Sequence, residues 1–213
     1  MRARATALTR SSSVSRLPPL SVLLLLRDAE HHVVDMVRLA AELPPLGPDG
    51  GAQTEVLALD QRSTDNTLSV LSVLAKRYGA LRIIHDVAPG HAWNRGVDRA
   101  TGEVLLAFAG VVQASELAWC LAQVRREGIS AATVSGEVIA VRRQLAQRSR
   151  LAPTEMLGIE RAVARQLALD GQTQRLISCP PSHTPFRVRA VRRIRERLTR
   201  LGLGAFDRPR RRA

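Results

Sequence analysis

Between residues 20 and 109, short apolar runs alternate with stretches of helical periodicity, and this alternation constrains the fold more than any other feature of the chain. Ser21-Val-Leu-Leu-Leu-Leu26 is a continuous apolar run of strand length, the pattern of a strand buried on both faces. Val33, Val37, Ala40 and Leu43 follow at helical spacing, with Asp28 placed as a cap. Leu43-Pro-Pro and the Gly/Pro/Asp cluster at 47–51 break the chain. Thr54 to Leu59 reads as a second strand. Leu68, Leu71, Ala75 and Tyr78 mark a helix with Gly79 as its C-cap. Leu81 to Ile84 is a third strand, Ala92 to Ala100 a short helix and Glu103 to Ala109 a fourth strand. This order predicts parallel strands joined by right-handed crossovers.

The second half is less regular. Glu116 to Arg126 and Glu155 to Leu169 have helical spacing, and Ala131 to Val134 and Glu137 to Val141 read as strands. Ile177 precedes a turn at Cys179-Pro-Pro-Ser182, and no internal repeat is present. The pattern predicts one domain over 20–185, with an N-terminal extension at 1–19 and a separate tail at 186–213.

Charge follows the same division. The 213 residues carry a formal net charge of +13. Residues 1–20 hold four arginines and no acid, and residues 186–213 hold eleven arginines against Glu196 and Asp207. Residues 21–185 carry seventeen basic and seventeen acidic side chains, so the predicted domain is neutral and the ends are cationic. That distribution argues against a fold that grips nucleic acid over its whole surface. A hydrophobic content of 45% excludes global disorder. Lys76 is the sole lysine, a skew that fits coding bias in a GC-rich genome.

Cys120 and Cys179 are too few for a disulfide framework and lack metal-type spacing, which fits a reducing cytoplasmic setting. The run Val22 to Leu26 stops at Arg27-Asp28, far short of a membrane span. A signal peptide is the alternative for that run, against which Arg27 and Asp28 stand where a small-residue cleavage site should come. Residues 1–19 read as a disordered extension, with an organellar presequence as the alternative. In 186–213, Val188, Val191, Ile194, Leu198 and Leu201 fall on one side of a basic helix. Such a helix lies on an anionic membrane surface or packs on its own domain, with nucleic-acid contact a third reading.

In an open α/β sheet, ligands bind beyond the carboxyl ends of the strands. Arg27-Asp28, Asp60 to Thr67, Pro89 to Gly96 and Ala109 to Gln113 fall there. No GxGxxG follows the first strand and no GKS or GKT loop occurs, which excludes the dinucleotide and P-loop readings.

Leu59-Asp60-Gln61-Arg62-Ser63-Thr64-Asp65-Asn66-Thr67 resembles the "VDDGSTDxT" turn of family 2 glycosyltransferases. Asp28-Ala-Glu30 stands where that family has "NE". Gly90-His-Ala-Trp-Asn94-Arg-Gly96 is similar to its "G…ARNxG" segment, and Ala100-Thr-Gly-Glu-Val104 to its "A-x-GE-y". Gly136-Glu-Val-Ile-Ala-Val-Arg142 resembles the strand ending in Arg, and Gly158-Ile-Glu160 through Arg165 the "GEDxDLxxR" helix. The resemblance implies a GT-A-like (nucleotide-diphospho-sugar transferase) three-layer α/β/α sandwich with a mostly parallel sheet. It implies transfer from a nucleoside-diphosphate sugar to an envelope or lipid-linked glycan.

On that resemblance Glu160 is the catalytic base for the acceptor hydroxyl, and Asp60 accepts hydrogen bonds from the nucleotide base. Asp28, Arg62, Asn94 and Arg95 fall on the donor side, where a guanidinium can hold phosphate. Read alone, Asp60 equally ends a strand before a turn, and Asp65 caps the following helix. Glu160 equally is an acid favoured near a helix start, and the arginines are equally solvated charges.

The chain also departs from the family. The Asp-x-Asp that holds a divalent ion is replaced by Ala109-Gly110-Val111, Gln61 and Arg62 replace an acid and a glycine, and Trp93 replaces an arginine. The nearest downstream acid is Glu116, and His183 reads as a loop histidine. The expectation is therefore that no cofactor is needed and that no Mn or Mg ion binds. Expected partners are the donor, the acceptor glycan, an anionic membrane surface through 186–213 and a protein partner. The rival reading is a non-catalytic scaffold on the same fold, and the third is a nucleic-acid accessory protein.

Overall fold

The computed structural model of the protein describes residues 20–43, 54–149 and 155–179. The predicted extension at 1–19, the tail at 186–213, the turn beyond Cys179 and His183 lie outside the described residues.

The sheet has seven strands among the described residues, in the order β3-β2-β1-β4-β6-β5-β7. They are β1 (Leu20–Leu26), β2 (Glu55–Asp60), β3 (Leu81–Ile84), β4 (Val104–Phe108), β5 (Ala131–Val134), β6 (Val138–Arg142) and β7 (Leu176–Cys179). The helices are α1 (Val33–Ala41), α2 (Thr67–Arg77), α3 (Ala92–Arg99), α4 (Ala114–Val124), α5 (Arg143–Arg148) and α6 (Met156–Leu169). β1 pairs in parallel with β2 and β4, and β2 with β3. β6 runs antiparallel between β4 and β5, and β7 is parallel to β5. The predicted three-layer sandwich with a mostly parallel sheet is therefore the observed one.

The apolar runs explain the layers. β1 and β4 are buried along their whole length, because both faces of the sheet are covered. Leu20, Val22, Leu24 and Leu26 pack toward α1, α2 and α4, whereas Leu23 and Leu25 pack toward α3, α5 and α6. Ser21, the polar member of the run, is satisfied: its hydroxyl donates to Glu55 Oε1 at 3.0 Å and accepts the Gly102 N–H at 2.7 Å. A Cβ on Gly102 would lie 2.6 Å from the Ser21 backbone nitrogen, so only glycine permits this approach. Cys120 is buried on α4, and burial pushes its thiol up to about 12, which keeps it protonated and unreactive.

Two local expectations are corrected. Asp28 does not cap α1: the helix starts after His32, and Asp28 serves the neighbouring loop instead. Gly79 is not a left-handed C-cap, because α2 ends at Arg77 and the chain leaves it through an extended Tyr78. No described helix is long and apolar enough to cross a membrane.

Candidate active site

With strands ordered 3-2-1-4 and helices leaving on opposite faces, the sheet changes winding direction between β1 and β4, which opens a crevice at their carboxyl ends. The antiparallel β6 returns β5 to the same direction as β4. The β5–β6 turn therefore joins this edge, with Val134 and Phe108 both paired to Val138. One backbone feature recurs along it. Two residues beyond the ends of β1, β2, β3, β4 and β5, the chain enters the left-handed region, at Asp28 (φ 47°), Arg62 (56°), Asp86 (56°), Gly110 (81°) and Gly136 (72°). The first three are not glycine. Non-glycine residues held there store strain that the surroundings must hold in place.

Hydrogen bonds supply that constraint. Asp28 Oδ1 accepts from the Thr64 N–H at 2.7 Å and from its hydroxyl at 3.2 Å, while the Asp28 N–H donates to Ser63 Oγ at 3.0 Å. Asp65 Oδ2 accepts the Glu30 N–H at 2.9 Å, and Asp65 Oδ1 accepts the Thr67 N–H at 3.0 Å and the Thr67 hydroxyl. Asp65 thus does what a helix cap does, one residue early, and also fastens the loop after β1. Burial would raise its carboxyl pKa, but the hydrogen bonds from Thr67 and from the Glu30 N–H outweigh this and hold it below the usual range. The third loop is fixed by Gln61, whose Oε1 accepts the Gly90 N–H at 2.8 Å.

Asp60 ends β2 and is fully buried. Its Oδ2 receives one long contact, from the Ser63 N–H at 3.4 Å, and its Oδ1 is buried with no hydrogen-bond partner. A buried carboxylate oxygen left so is costly, a condition shared at this edge by Glu116 Oε1. Arg62 donates from Nε to Asp86 Oδ1 at 2.8 Å, joining two of the left-handed residues through exposed side chains. Asn94 is half-buried and Arg95 exposed, both in the first turns of α3. Trp93, which replaces the family's arginine, lies buried with Leu23, Leu59 and Val97 in the core.

Glu160 sits in the second turn of α6, half-buried beside the apolar stripe of Met156, Ile159 and Val163. Its Oε2 accepts the Gly136 N–H at 3.1 Å and the Ser135 hydroxyl at 3.4 Å, which fixes the carboxylate over the β5–β6 turn. Asp28, Asp60 and Arg62 thus meet at one end of the edge, Asn94 and Arg95 start the helix beside it, and Glu160 stands at the other end. The structural work of Asp65 and Gln61 across the loops was not legible in the sequence, since the local capping pattern accounts for Asp65 equally well.

The place of Asp-x-Asp is a bare turn: Ala109 is half-buried, Gly110 half-buried and Val111 59% exposed. Glu116 caps α4, with Oε2 accepting the Gln113 N–H at 3.1 Å. No three His, Cys, Asp or Glu side chains converge as metal ligands among the described residues.

The sequence matches no protein-family profile and no curated protein. Solved structures do share the fold. A mannosyltransferase from Pyrobaculum calidifontis, in complex with GDP-Man and Mn²⁺, superposes with a TM-score of 0.62 at 20% identity, over 85% of this chain. This chain spans 61% of that protein's length. Glucosyl-3-phosphoglycerate synthase from Mycobacterium tuberculosis, in complex with Mn²⁺, UDP and glucosyl-3-phosphoglycerate, has a TM-score of 0.57 at 18% identity, over 87% of this chain and 81% of that one. The fold is therefore that of the GT-A nucleotide-sugar transferases.

These neighbours overturn the expectation that no divalent ion belongs to such a site, since both are complexes with Mn²⁺. The described residues of this chain do not fit the ion, because Ala109, Gly110 and Val111 bring no side-chain oxygen where a hard cation needs several.

Proposed function

We propose that this chain is a family 2-like glycosyltransferase, moving a sugar from a nucleoside diphosphate to a hydroxyl of an envelope or lipid-linked glycan, at the cytoplasmic face of a membrane. The observation that carries the reading is the unpartnered, buried Oδ1 of Asp60 at the carboxyl end of β2. An imide N–H of uracil, thymine or guanine is the donor that such an oxygen lacks, whereas cytosine and adenine present acceptors at the equivalent ring nitrogen. Arg62, at the mouth of the same turn, offers a guanidinium to the diphosphate once it leaves Asp86.

At the far end of the edge, Glu160 is held by Gly136 and Ser135 through Oε2, which leaves Oε1 to take the proton of the acceptor hydroxyl as its oxygen attacks the anomeric carbon. The C–O bond to the diphosphate breaks and the nucleoside diphosphate departs. Asp28 and Asp65 keep the first two loops in register, and Asp28, half-exposed, also faces the donor side. The mannosyltransferase with GDP-Man and the synthase with UDP support a nucleotide-sugar donor for this chain.

A second reading rests on Ala109-Gly110-Val111, which replaces the family's metal-holding acids: a scaffold that keeps the fold without the chemistry. One panel separates the two. Thermal shift with UDP-, GDP- and dTDP-sugars in the presence of Mn²⁺ is expected to raise Tm for at least one donor, because ligand bound only to the folded state stabilises it. No shift at millimolar nucleotide would sink the enzyme and leave the scaffold.

A further inference from the structure

The two helical layers differ in charge. α1, α2 and α4 carry three basic residues, Arg38, Lys76 and Arg77, against Asp35 and Glu116. α3, α5 and α6 carry six arginines against Asp98 and Glu160. Two of the six have local partners: Arg148 pairs with Asp170 at 3.0 Å, and Arg143 donates to the Thr101 carbonyl at 3.2 Å. The other four, Arg95 and Arg99 on α3 and Arg161 and Arg165 on α6, are exposed and make no ion pair among the described residues.

Their spacing sharpens the point. Both pairs are i,i+4, so like charges stack on one ridge of each helix, an arrangement that disfavours the helix on its own. α3 and α6 lie on the same side of the sheet, each packing its apolar stripe onto it and turning its arginines outward. Each helix begins at the carboxyl edge, so Arg95 and Arg161 stand near the candidate site and Arg99 and Arg165 a turn further away. On α6 the ridge continues one turn on to Leu169, 73% exposed, an apolar side chain at the end of a basic row.

The geometry points to this α3–α5–α6 layer as a docking face for an anionic lipid bilayer. Unpaired cations on a layer of side-by-side helices suit a plane of phosphates. An apolar tip at the end of the row suits a bilayer and has no use on a phosphate backbone. Nucleic acid is the poorer match, because no exposed aromatic side chain on these three helices can stack a base: the single aromatic there, Trp93, is buried. The assignment concerns the folded layer and not the basic tail, and it does not depend on the nucleotide-sugar reading.

The test is co-sedimentation of the full chain with vesicles of phosphatidylglycerol and phosphatidylcholine, and of phosphatidylcholine alone, at about 0.15 M salt. Arg95→Gln, Arg99→Gln, Arg161→Gln and Arg165→Gln combined should lower partition onto the anionic vesicles at least tenfold, with the circular dichroism spectrum unchanged. A control removing four charges elsewhere, Lys76→Gln, Arg77→Gln, Arg125→Gln and Arg126→Gln, should lower it less than threefold. Equal losses from both sets would overturn the assignment, leaving only diffuse net charge. So would wild-type protein that ignores the anionic vesicles, or that leaves them for duplex DNA or RNA at equal phosphate concentration.

Discussion

Thr67 and Asp65 share one oxygen-to-oxygen hydrogen bond that two loops depend on: the Thr67 hydroxyl donates to Asp65 Oδ1 and accepts the Ala29 N–H at 2.8 Å. Asp65 in turn takes the Glu30 N–H through its other oxygen. The first turn of α2 is thereby tied to a segment 35 residues earlier by bonds that are strongest when Asp65 is ionised.

The pH dependence follows. A carboxylate whose folded pKa lies below its unfolded value, about 3.9, adds stability that is fully present above the unfolded value and lost as pH falls through the folded one. Asp65 is such a group. Wild-type Tm should therefore fall more steeply as the pH drops below the unfolded carboxylate value of about 4 than that of Asp65→Asn. Asp65→Ala should cost about 1–3 kcal/mol at neutral pH, because it strands two N–H donors. Parallel slopes for wild type and Asp65→Asn would remove Asp65 from this role.

Asp60 should behave in the opposite way. Its Oδ1 has no partner to lose, so Asp60→Asn should change Tm by less than about 1 kcal/mol equivalent while weakening nucleoside diphosphate binding about tenfold or more. Isothermal titration with UDP and GDP measures the second effect and calorimetric unfolding the first. Unchanged affinity in Asp60→Asn would show that the base is read elsewhere.

Glu160→Gln keeps an acceptor for the Gly136 N–H and removes the base. Turnover should fall by about 10²–10⁴, with donor affinity within twofold of wild type. A joint loss of turnover and donor binding would mean that Glu160 supports the β5–β6 turn and nothing more.

Two glycines give a graded test of the packing. A Cβ at Gly102 meets the Ser21 backbone at 2.6 Å, whereas at Gly96 it meets the end of the Leu23 side chain at 2.9 Å. Gly102→Ala should cost about 3 kcal/mol or be insoluble, and Gly96→Ala about 1 kcal/mol, since a rotamer can move and a strand cannot. Urea denaturation ranks them, and equal costs would contradict the geometry.

Much of this was legible in the residues because the core strands are continuous apolar runs, a pattern that a sheet covered on both faces alone requires. Leu81 to Ile84 and Ala131 to Val134 begin and end where hydrophobicity does. The antiparallel insertion of β6 was not legible, because a strand buried on both faces reads the same in either direction. Nor was the division of labour among the acids. Asp28, Asp60 and Asp65 are alike as local signals, each fitting a cap or a turn, and only contacts across more than 30 residues separate the two that hold loops from the one left without a partner. Trp93, which stands where the family has an arginine, is seated in the core, where its ring packs and its indole N–H is left without a partner.

The left-handed turns that follow β1 to β5 carry a thermodynamic consequence. After β1 to β4 the segments between strand and helix run five to seven residues, and the first three are already held by side-chain hydrogen bonds. A ligand arriving there finds few loop conformations left to restrict. Its binding entropy should then be set by water released and by its own lost freedom, with little contribution from ordering of these turns. Donor affinity should in turn be almost insensitive to agents that stiffen or loosen loops, such as viscogens and low concentrations of urea.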